Sequence, residues 1–256
     1  MSEVVVRAYG NLNDFLPNAQ HHAAVTVTAE PGASVKDIIE RLGIPHPEVD
    51  LLLADGQPVG FGFAPPQGCR IAVFPRFHAI EVDEITCVRP LVPSPNSFVL
   101  DGHLGKLAKH LRLLGLDATC PPGATDDVLA QQSADEGRIL LTRDVGLLKR
   151  RIVSLGYFVR ETMPRRQIVE ILRQFGPLPV EPFSRCLRCN GELRDAPKPE
   201  VEAALPPRTR ECVDDFLACA GCGRVYWKGA HWARLTALVE DTLKEARYSA
   251  RAGLSW

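Results

Sequence analysis

The sequence has no long hydrophobic run. No apolar stretch approaches the ~18 residues that a membrane-spanning helix requires, and the first residues lack the basic and apolar pattern of a secretory leader. These absences predict a cytoplasmic protein without a membrane partner. Four of its eight cysteines form two C-x-x-C pairs, which in a reducing compartment are more typical of metal ligands than of disulfides.

The sequence also has little net charge, −1 overall, but the charge is unevenly distributed. Residues 1–97 carry 6 basic and 11 acidic side chains, whereas residues 98–256 carry 24 basic and 20 acidic ones. Residues 143–173 alone contain 8 basic side chains against 3 acidic ones. This excess favours a polyanionic partner for the second part of the chain, although solvated helix surfaces would produce the same pattern.

A glycine-rich dinucleotide-binding motif, a P-loop and a Ser-His-Asp order are all missing. From residue 97 onward, strand and helix patterns instead alternate. A strand over Phe98–Leu100 ends at Asp101, and a helix follows that has leucines on one face and ends at Gly115. Lys106, Lys109 and Arg112 form its basic face. Further strands are predicted at 116–120, 138–142 and 157–159, with intervening helices, one of which runs from Asp144 to Gly156. Such alternation predicts an α/β fold with a parallel sheet.

Residues 1–78 read as a separate small domain. Two strands, a helix that begins after Ser34 and two later strands follow one another in the order ββαββ. This order, with ASVKDIIERLGIP and IAVFPRF, resembles the β-grasp fold of ubiquitin-like proteins. The domain does not end in a free Gly-Gly tail, which favours a docking or regulatory role. Residues 79–96 contain three spaced prolines and are predicted to form a linker.

Four cysteines form two C-x-x-C pairs with 29 residues between them. They are Cys186, Cys189, Cys219 and Cys222, and each pair is followed closely by a glycine. Four thiolates suit a tetrahedral Zn²⁺ and leave no open position for a substrate, so the pattern predicts a structural zinc ribbon. Replacement of one ligand by Cys212 is the less favoured alternative. Residues 177–256 are therefore predicted to form a zinc ribbon followed by a helix from about Ala233 to Ala250. Together they would complete the domain whose first part is residues 97–176.

Acidic residues follow two strands of the predicted parallel sheet. Asp101 and Asp144 come after their strands, and Asp126 or Asp127 begins a helix after the candidate N-cap Thr125. Because the carboxyl ends of parallel strands share one edge, these carboxylates are expected to face one crevice. Grouped carboxylates are stabilised by a hard cation, so Mg²⁺ or Mn²⁺ is predicted here. The alternative is that each acid only caps a helix.

These segments resemble a known family. The motifs FVLDGHLGKLAKHLRLLGLD, TDDVLAQQSADEGRILLTRDVGLLKR and CAGCGRVYWKGAHWARL are similar to the PIN-like ribonuclease domain at the C-terminus of the Mut-seven exonuclease. Bacterial members often carry an N-terminal ubiquitin-like domain. The resemblance implies a PIN-type fold, metal-dependent RNA cleavage and a zinc ribbon. It makes Asp101, Asp126 and Asp144 the metal-binding catalytic acids, with Asp127 close behind. The fourth acid of PIN enzymes has only weak candidates here, namely Asp135, Glu136, Asp214 and Asp215.

Basic and aromatic side chains near these motifs predict contacts with RNA. The phosphate backbone would be attracted by Lys106, Lys109, Arg143, Lys149 and Arg150. In YWKGAHW, the residues Lys228, His231 and Trp232 would contact phosphates and stack on bases, whereas Trp227 equally fits a role in packing the ribbon. Three hypotheses follow: a metal-dependent ribonuclease, a non-catalytic RNA-binding adaptor with a ubiquitin-like docking domain, and a toxin-like nuclease regulated by that domain.

Overall fold

A computed structural model describes residues 2–77, 84–88, 96–229 and 231–247. Most of the predicted linker 79–96 and the end of the predicted last helix lie outside these ranges. The chain divides into two compact units, which comprise residues 1–95 with 125–158 and residues 96–124 with 159–256. The segment 125–158 therefore packs with the N-terminal domain, whereas the sequence-based boundaries place it in the domain that begins at residue 97.

The N-terminal domain has the predicted β-grasp architecture. Its elements are β1 (Ser2–Ala8), β2 (Ala24–Ala29), α1 (Val35–Arg41), β3 (Val49–Ala54), β4 (Gln57–Pro58) and β5 (Arg70–Pro75). The strand order is β2-β1-β5-β3-β4, in which β1 and β5 are parallel and the other pairs are antiparallel. Ser34 begins α1 with a capping box that it forms with Asp37, and the helix packs Ile38 and Ile39 into the core of the domain.

The α/β part contains a second sheet of short strands. Its elements are β6 (Ser97–Leu100), α2 (Gly105–Leu113), β7 (Asp117–Thr119), α3 (Asp126–Glu136), β8 (Ile139–Thr142), α4 (Val145–Leu148), β9 (Gly156–Phe158) and α5 (Pro164–Phe175). The sheet has the order β7-β6-β8-β9. The pairs β6–β7 and β8–β9 are parallel, as the alternation of strands and helices predicts.

Two details of this part differ from the prediction. The helix after Asp144 ends at Leu148 instead of continuing to Gly156. Ile152, which would have continued its apolar face, is 42% exposed. Arg112 does not belong to the basic face of α2, since it is only 6% exposed. The helix nevertheless ends as predicted, with Gly115 at φ +81° and in close contact with the backbone of Glu181, where no side chain fits.

The C-terminal part contains a third sheet and a final helix. Its elements are β10 (Leu193–Ala196), α6 (Lys198–Val201), α7 (Pro207–Cys212), β11 (Phe216–Cys219), β12 (Val225–Trp227) and α8 (Trp232–Glu245). The strands are antiparallel in the order β10-β11-β12. The helices α6 and α7 lie between the cysteine pairs in sequence. Val201 of α6 and Leu205, which precedes α7, pack with Phe216 and Ala218 of β11. The final helix also contacts α5, because Arg165 of α5 pairs with Asp241 of α8 at 3.0 Å.

Candidate metal centre and acidic strand ends

The four predicted zinc ligands lie together between two hairpin turns. Cys186 and Cys189 precede β10, Cys219 is the last residue of β11, and Cys222 lies in the turn to β12. Their sulfur atoms all lie within 4.8 Å of one another, and the Sγ–Sγ distances are 3.7 Å for Cys186–Cys222 and 3.4 Å for Cys189–Cys219. Sulfurs that bind one Zn²⁺ tetrahedrally at ~2.3 Å are about 3.8 Å apart. The cluster therefore fits a structural zinc ion without rearrangement.

Both cysteine pairs form the same type of turn. The residue after the second cysteine has a left-handed backbone in each case, with φ 72° at Asn190 and 68° at Gly223. These turns bring backbone N–H groups toward the sulfurs, as in the contact of 3.4 Å from Cys222 N to Cys219 Sγ. Burial opposes ionisation of Cys186, but hydrogen bonds from the Tyr226 hydroxyl and from backbone N–H groups outweigh it and lower its thiol pKa to about 6. A thiol of this kind readily becomes the thiolate that binds zinc.

The first cysteine turn is fixed to the α/β part by two side chains. The buried guanidinium of Arg112 donates hydrogen bonds to the carbonyls of Leu187 and Arg188, at 3.1 and 3.0 Å, and of Ala118, at 2.7 Å. The Asn190 amide accepts a hydrogen bond from Ala118 N at 3.0 Å and donates one to a carboxylate oxygen of Asp117 at 2.7 Å. The zinc ribbon is therefore an integral part of this unit and is not a flexible appendage.

The two strand-end aspartates both cap the helical turn that follows them. Asp101, directly after β6, accepts a hydrogen bond from His103 N at 3.4 Å through Oδ1. Asp144, two residues after β8, accepts hydrogen bonds through Oδ1 from Gly146 N at 2.6 Å and Leu147 N at 3.2 Å. Its own backbone N–H donates to Thr142 Oγ1 at 3.0 Å. The capping roles that the sequence left as an alternative are therefore real, and Asp144 Oδ2 takes no part in them.

The other two predicted acids form ion pairs with one arginine. Asp126 and Asp127 lie in the first turn of α3, and Thr125 precedes them without a side-chain capping bond. Arg150 pairs closely with Asp127, and its second terminal nitrogen lies 3.7 Å from an Asp126 oxygen. Among the described residues, only the cysteines form a group of three or more potential ligands within 4.8 Å of one another. The catalytic role of the four aspartates remains a prediction.

Family comparison covers both parts of the chain. The family model described as Mut7-C RNAse domain matches residues 96–239. The chain belongs to the Mut7-C RNAse family. A second model, described as Mut7-C ubiquitin, matches residues 1–81 and agrees with the β-grasp architecture of that domain. The resemblance predicted from the sequence is therefore confirmed, and a ribonuclease-related function follows for the Mut7-C RNAse domain.

One solved structure is similar to part of the chain. The crystal structure of H. volcanii small archaeal modifier protein 1 is similar at 20% identity, covers 30% of this chain and 100% of that chain, and has a TM-score of 0.25. No curated protein matches the chain. Within the described residues, no helix combines the length and the apolar character that a bilayer crossing needs.

The predicted RNA contacts of the Mut7-C RNAse domain differ in their surroundings. Lys106 and Lys109 are exposed on α2, and His231 is exposed beside the zinc ribbon. The other five contact protein groups: Arg143 lies 5.8 Å from the Phe158 ring centroid, Lys149 donates to Glu40 O at 2.6 Å, Arg150 pairs with the two acids, Lys228 Nζ lies 5.8 Å from the Trp232 ring centroid, and the Trp232 ring packs at a tilt on Phe183 at 4.1 Å. Their role in RNA binding remains a prediction.

Three residues that support the metal centre were not identified from the sequence. Asn190 had a detectable signal, because it occupies the position at which the second cysteine turn has Gly223, and both residue types tolerate a left-handed backbone. Tyr226 and Arg112 had no such signal. Their partners, Cys186 and the carbonyls of Leu187 and Arg188, are 40 or more residues distant in sequence.

Proposed function

We propose that the chain is a metal-dependent ribonuclease that hydrolyses RNA phosphodiester bonds with Asp-bound Mg²⁺ or Mn²⁺. The proposed ligands are Asp101, Asp126 and Asp144, with Asp127 adjacent. Membership of the Mut7-C RNAse family supports a ribonuclease-related function. The observation that carries the specific proposal is the recurrence of an aspartate after each of the two mainly apolar strands, β6 and β8.

The chemistry of these groups suits a hard divalent ion. Carboxylate oxygens are preferred ligands of Mg²⁺ and Mn²⁺, which lower the pKa of bound water and stabilise the charge that develops on a phosphate. Asp144 is oriented for such a role because its Oδ1 is fixed by two backbone N–H groups while Oδ2 lies outside the cap. Lys106 and Lys109, exposed on α2, would attract the RNA backbone.

The contacts of Arg150 decide which of the two helix-start carboxylates we assign to the metal. Its guanidinium neutralises the neighbouring carboxylates of Asp126 and Asp127, which is the task that a bound cation would perform. The Arg150–Asp126 contact of 3.7 Å is long for an ion pair, whereas the contact to Asp127 is close. We therefore assign Asp126 to the metal and Asp127 to Arg150.

A second function is supported by the same observations. Each proposed ligand has a structural partner, and the described residues contain no assembled carboxylate cluster. A chain that uses these acids only as caps and ion pairs would be a non-catalytic RNA-binding adaptor, with the ubiquitin-like domain docking a protein. This alternative predicts RNA binding without cleavage.

The test replaces each strand-end aspartate with asparagine. Asparagine caps a helix as well as aspartate does, so Asp101→Asn and Asp144→Asn should keep the fold while removing the negative charge that a metal needs. We expect each variant to lose about 100-fold or more of Mn²⁺-dependent cleavage of a single-stranded RNA, which corresponds to about 2.7 kcal/mol of lost transition-state stabilisation, and to bind RNA normally. Asp195→Asn, at an exposed position on β10, is the matched control and should cleave like the wild type.

The outcomes separate the two functions. Cleavage that survives in both strand-end variants would overturn the assignment of the catalytic acids. Wild-type protein that binds RNA but cleaves none of a varied set of substrates with Mg²⁺ or Mn²⁺ would support the adaptor.

A further inference from the structure

The zinc ribbon and α8 form an open cavity of about 790 Å³, and neither the aspartates nor the zinc ligands line it. Its walls come from α7, β12, α8 and the segment around Phe183, all within one compact unit. Pockets of roughly 300–1,000 Å³ are the usual size for small-molecule or cofactor sites. The lining must therefore indicate which ligand fits.

Aromatic rings form a large part of the lining. The Phe183 and Trp232 rings pack against each other at a tilt of 30° with their centroids 4.1 Å apart, and Tyr226 and Trp227 line the cavity from β12. The Tyr226 hydroxyl is fixed by Cys186 Sγ and Leu187 N, each at 3.1 Å. Trp227 leaves no room for a side chain at Gly229. These rings are therefore held in place and offer flat surfaces on which a planar group can stack.

The charged groups of the cavity all have the same sign. Arg185, Arg208 and Arg224 line it, and no aspartate or glutamate does. Arg185 donates hydrogen bonds to Gly115 O and Asn190 O, so Arg208 and Arg224 are the arginines that would contact a ligand. Lys228 adds a further cation, with its Nζ 5.8 Å from the centroid of the Trp232 ring. An apolar peptide would not account for a lining that has several cations and lacks acids. The combination of rings and cations instead complements a ligand that is aromatic and anionic at once.

We propose that this cavity binds an unpaired nucleotide of single-stranded RNA, with the base between the aromatic walls and the phosphates at the arginines. Base stacking on aromatic side chains contributes about 1–3 kcal/mol per base and does not depend on sequence. A duplex would not enter, because its bases are already stacked and paired. The proposal rests on the proposed function only in taking RNA as the polyanion, and the cavity is a binding site separate from the strand-end aspartates.

Cys212 provides a probe that does not depend on activity. Its thiol is exposed and belongs to the cavity lining, whereas Cys87 is exposed on the other compact unit. We expect a single-stranded oligoribonucleotide to slow alkylation of Cys212 by iodoacetamide about fivefold or more, as measured by peptide mass spectrometry, and to leave Cys87 unchanged. The zinc-loaded Asp101→Asn protein should be used so that the oligonucleotide stays intact. A blunt RNA duplex should give little protection.

A pair of arginine variants tests the same cavity by affinity. Arg208 and Arg210 both lie on α7 and both are exposed, but only Arg208 lines the cavity. Arg208→Gln should weaken single-strand binding about three- to tenfold and lower the salt dependence of log K by about 0.7, the value for one lost phosphate contact. Arg210→Gln should leave both unchanged. Fluorescence anisotropy at several salt concentrations measures both quantities.

The outcomes separate this proposal from the nuclease. Protection of Cys212 without any cleavage by the wild type would support the cavity and contradict the nuclease. Cleavage that is lost in Asp101→Asn, with equal alkylation of Cys212 in the presence and absence of single strand, would support the nuclease and overturn the cavity. Equal effects of Arg208→Gln and Arg210→Gln would also overturn it, since general surface charge would then account for binding.

Discussion

Each compact unit attaches an additional module to a short parallel strand, and the two attachments differ in chemistry. In one unit the zinc ribbon is joined to β7 through Arg112 and Asn190, which contact backbone groups of residues 118 and 187–188. Arg112 is 6% exposed and is surrounded by carbonyl acceptors. This attachment is buried, and its main contact is a cation whose charge does not change with ordinary pH.

In the other unit the ubiquitin-like domain is joined to the residues around β9. His46 contacts Glu40 Oε1 and Val153 O, both at 2.6 Å, and the Glu48 carboxylate accepts a hydrogen bond from Phe158 N at 2.5 Å. Lys149 donates to Glu40 O at 2.6 Å. Phe15 adds an edge-to-face contact with the Phe158 ring at 5.5 Å. Here one of the contacts depends on a histidine, the side chain whose charge changes near physiological pH.

The two attachments therefore differ in how they respond to pH. Burial, with the nearby Lys36 charge, lowers the pKa of His46, although hydrogen bonds to Glu40 and Val153 oppose the shift. Burial also lowers the pKa of Arg112, but an arginine starts far above physiological pH and stays charged. Perturbing the two attachments should therefore have effects of different size and different pH dependence.

The largest effect is expected from removing a zinc ligand. Cys219→Ser should abolish stoichiometric zinc binding and melt the ribbon, because structural zinc in small domains contributes on the order of 10 kcal/mol of folding free energy. Zinc content by mass spectrometry and hydrogen exchange of β10–β12 measure the result. Cys212→Ser is the control and should keep its zinc. Loss of zinc from this control would instead support Cys212 as a ligand.

An intermediate effect is expected from Arg112→Met. The substitution keeps the apolar stem but leaves the carbonyls of Ala118, Leu187 and Arg188 without their donor, so the free energy of unfolding should fall by about 3 kcal/mol. Urea denaturation measures the change. Lys109→Met, on the exposed face of the same helix, should change it by no more than about 0.5 kcal/mol. Equal losses in both variants would contradict the buried role of Arg112.

The smallest effect is expected from titrating His46. Unfolded His46 binds a proton near its ordinary pKa of ~6.5, whereas the folded side chain binds it only at lower pH. Its contribution to stability is therefore complete above pH ~6.5 and is lost as the pH falls below that value. Between pH 7 and 5, Tm should fall by a few degrees more in the wild type than in His46→Gln. His103→Gln, at an exposed position, should retain the wild-type slope, and parallel curves for all three proteins would refute the prediction.

Local sequence spacing was sufficient for several features of this chain. The two C-x-x-C pairs predicted the metal centre because each pair forms its own turn. The strands β10–β12 then bring the two turns together. The strand ends at Asp101 and Asp144 were also predicted, since an apolar run followed by an acid and a helical pattern is a local signal. The capping alternative was confirmed for both residues by the same geometry.

Features that depend on distant partners could not be predicted. Arg112 looked like a surface residue because helix periodicity places it beside two lysines, and only the carbonyls of residues 187 and 188 explain its burial. The contact of His46 with Val153 spans 107 positions and has no periodic signature. The helix predicted to Gly156 failed for the same reason, since residues after Leu148 serve the contact with the ubiquitin-like domain instead of continuing a helix.

The two carbonyls that Arg112 contacts belong to Leu187 and Arg188, the residues between the first pair of zinc-binding cysteines. Metal uptake at the ribbon is therefore thermodynamically linked to the helix that follows Asp101, and each stabilises the other by the same amount. Loss of zinc should thus also destabilise α2, which lies outside the ribbon.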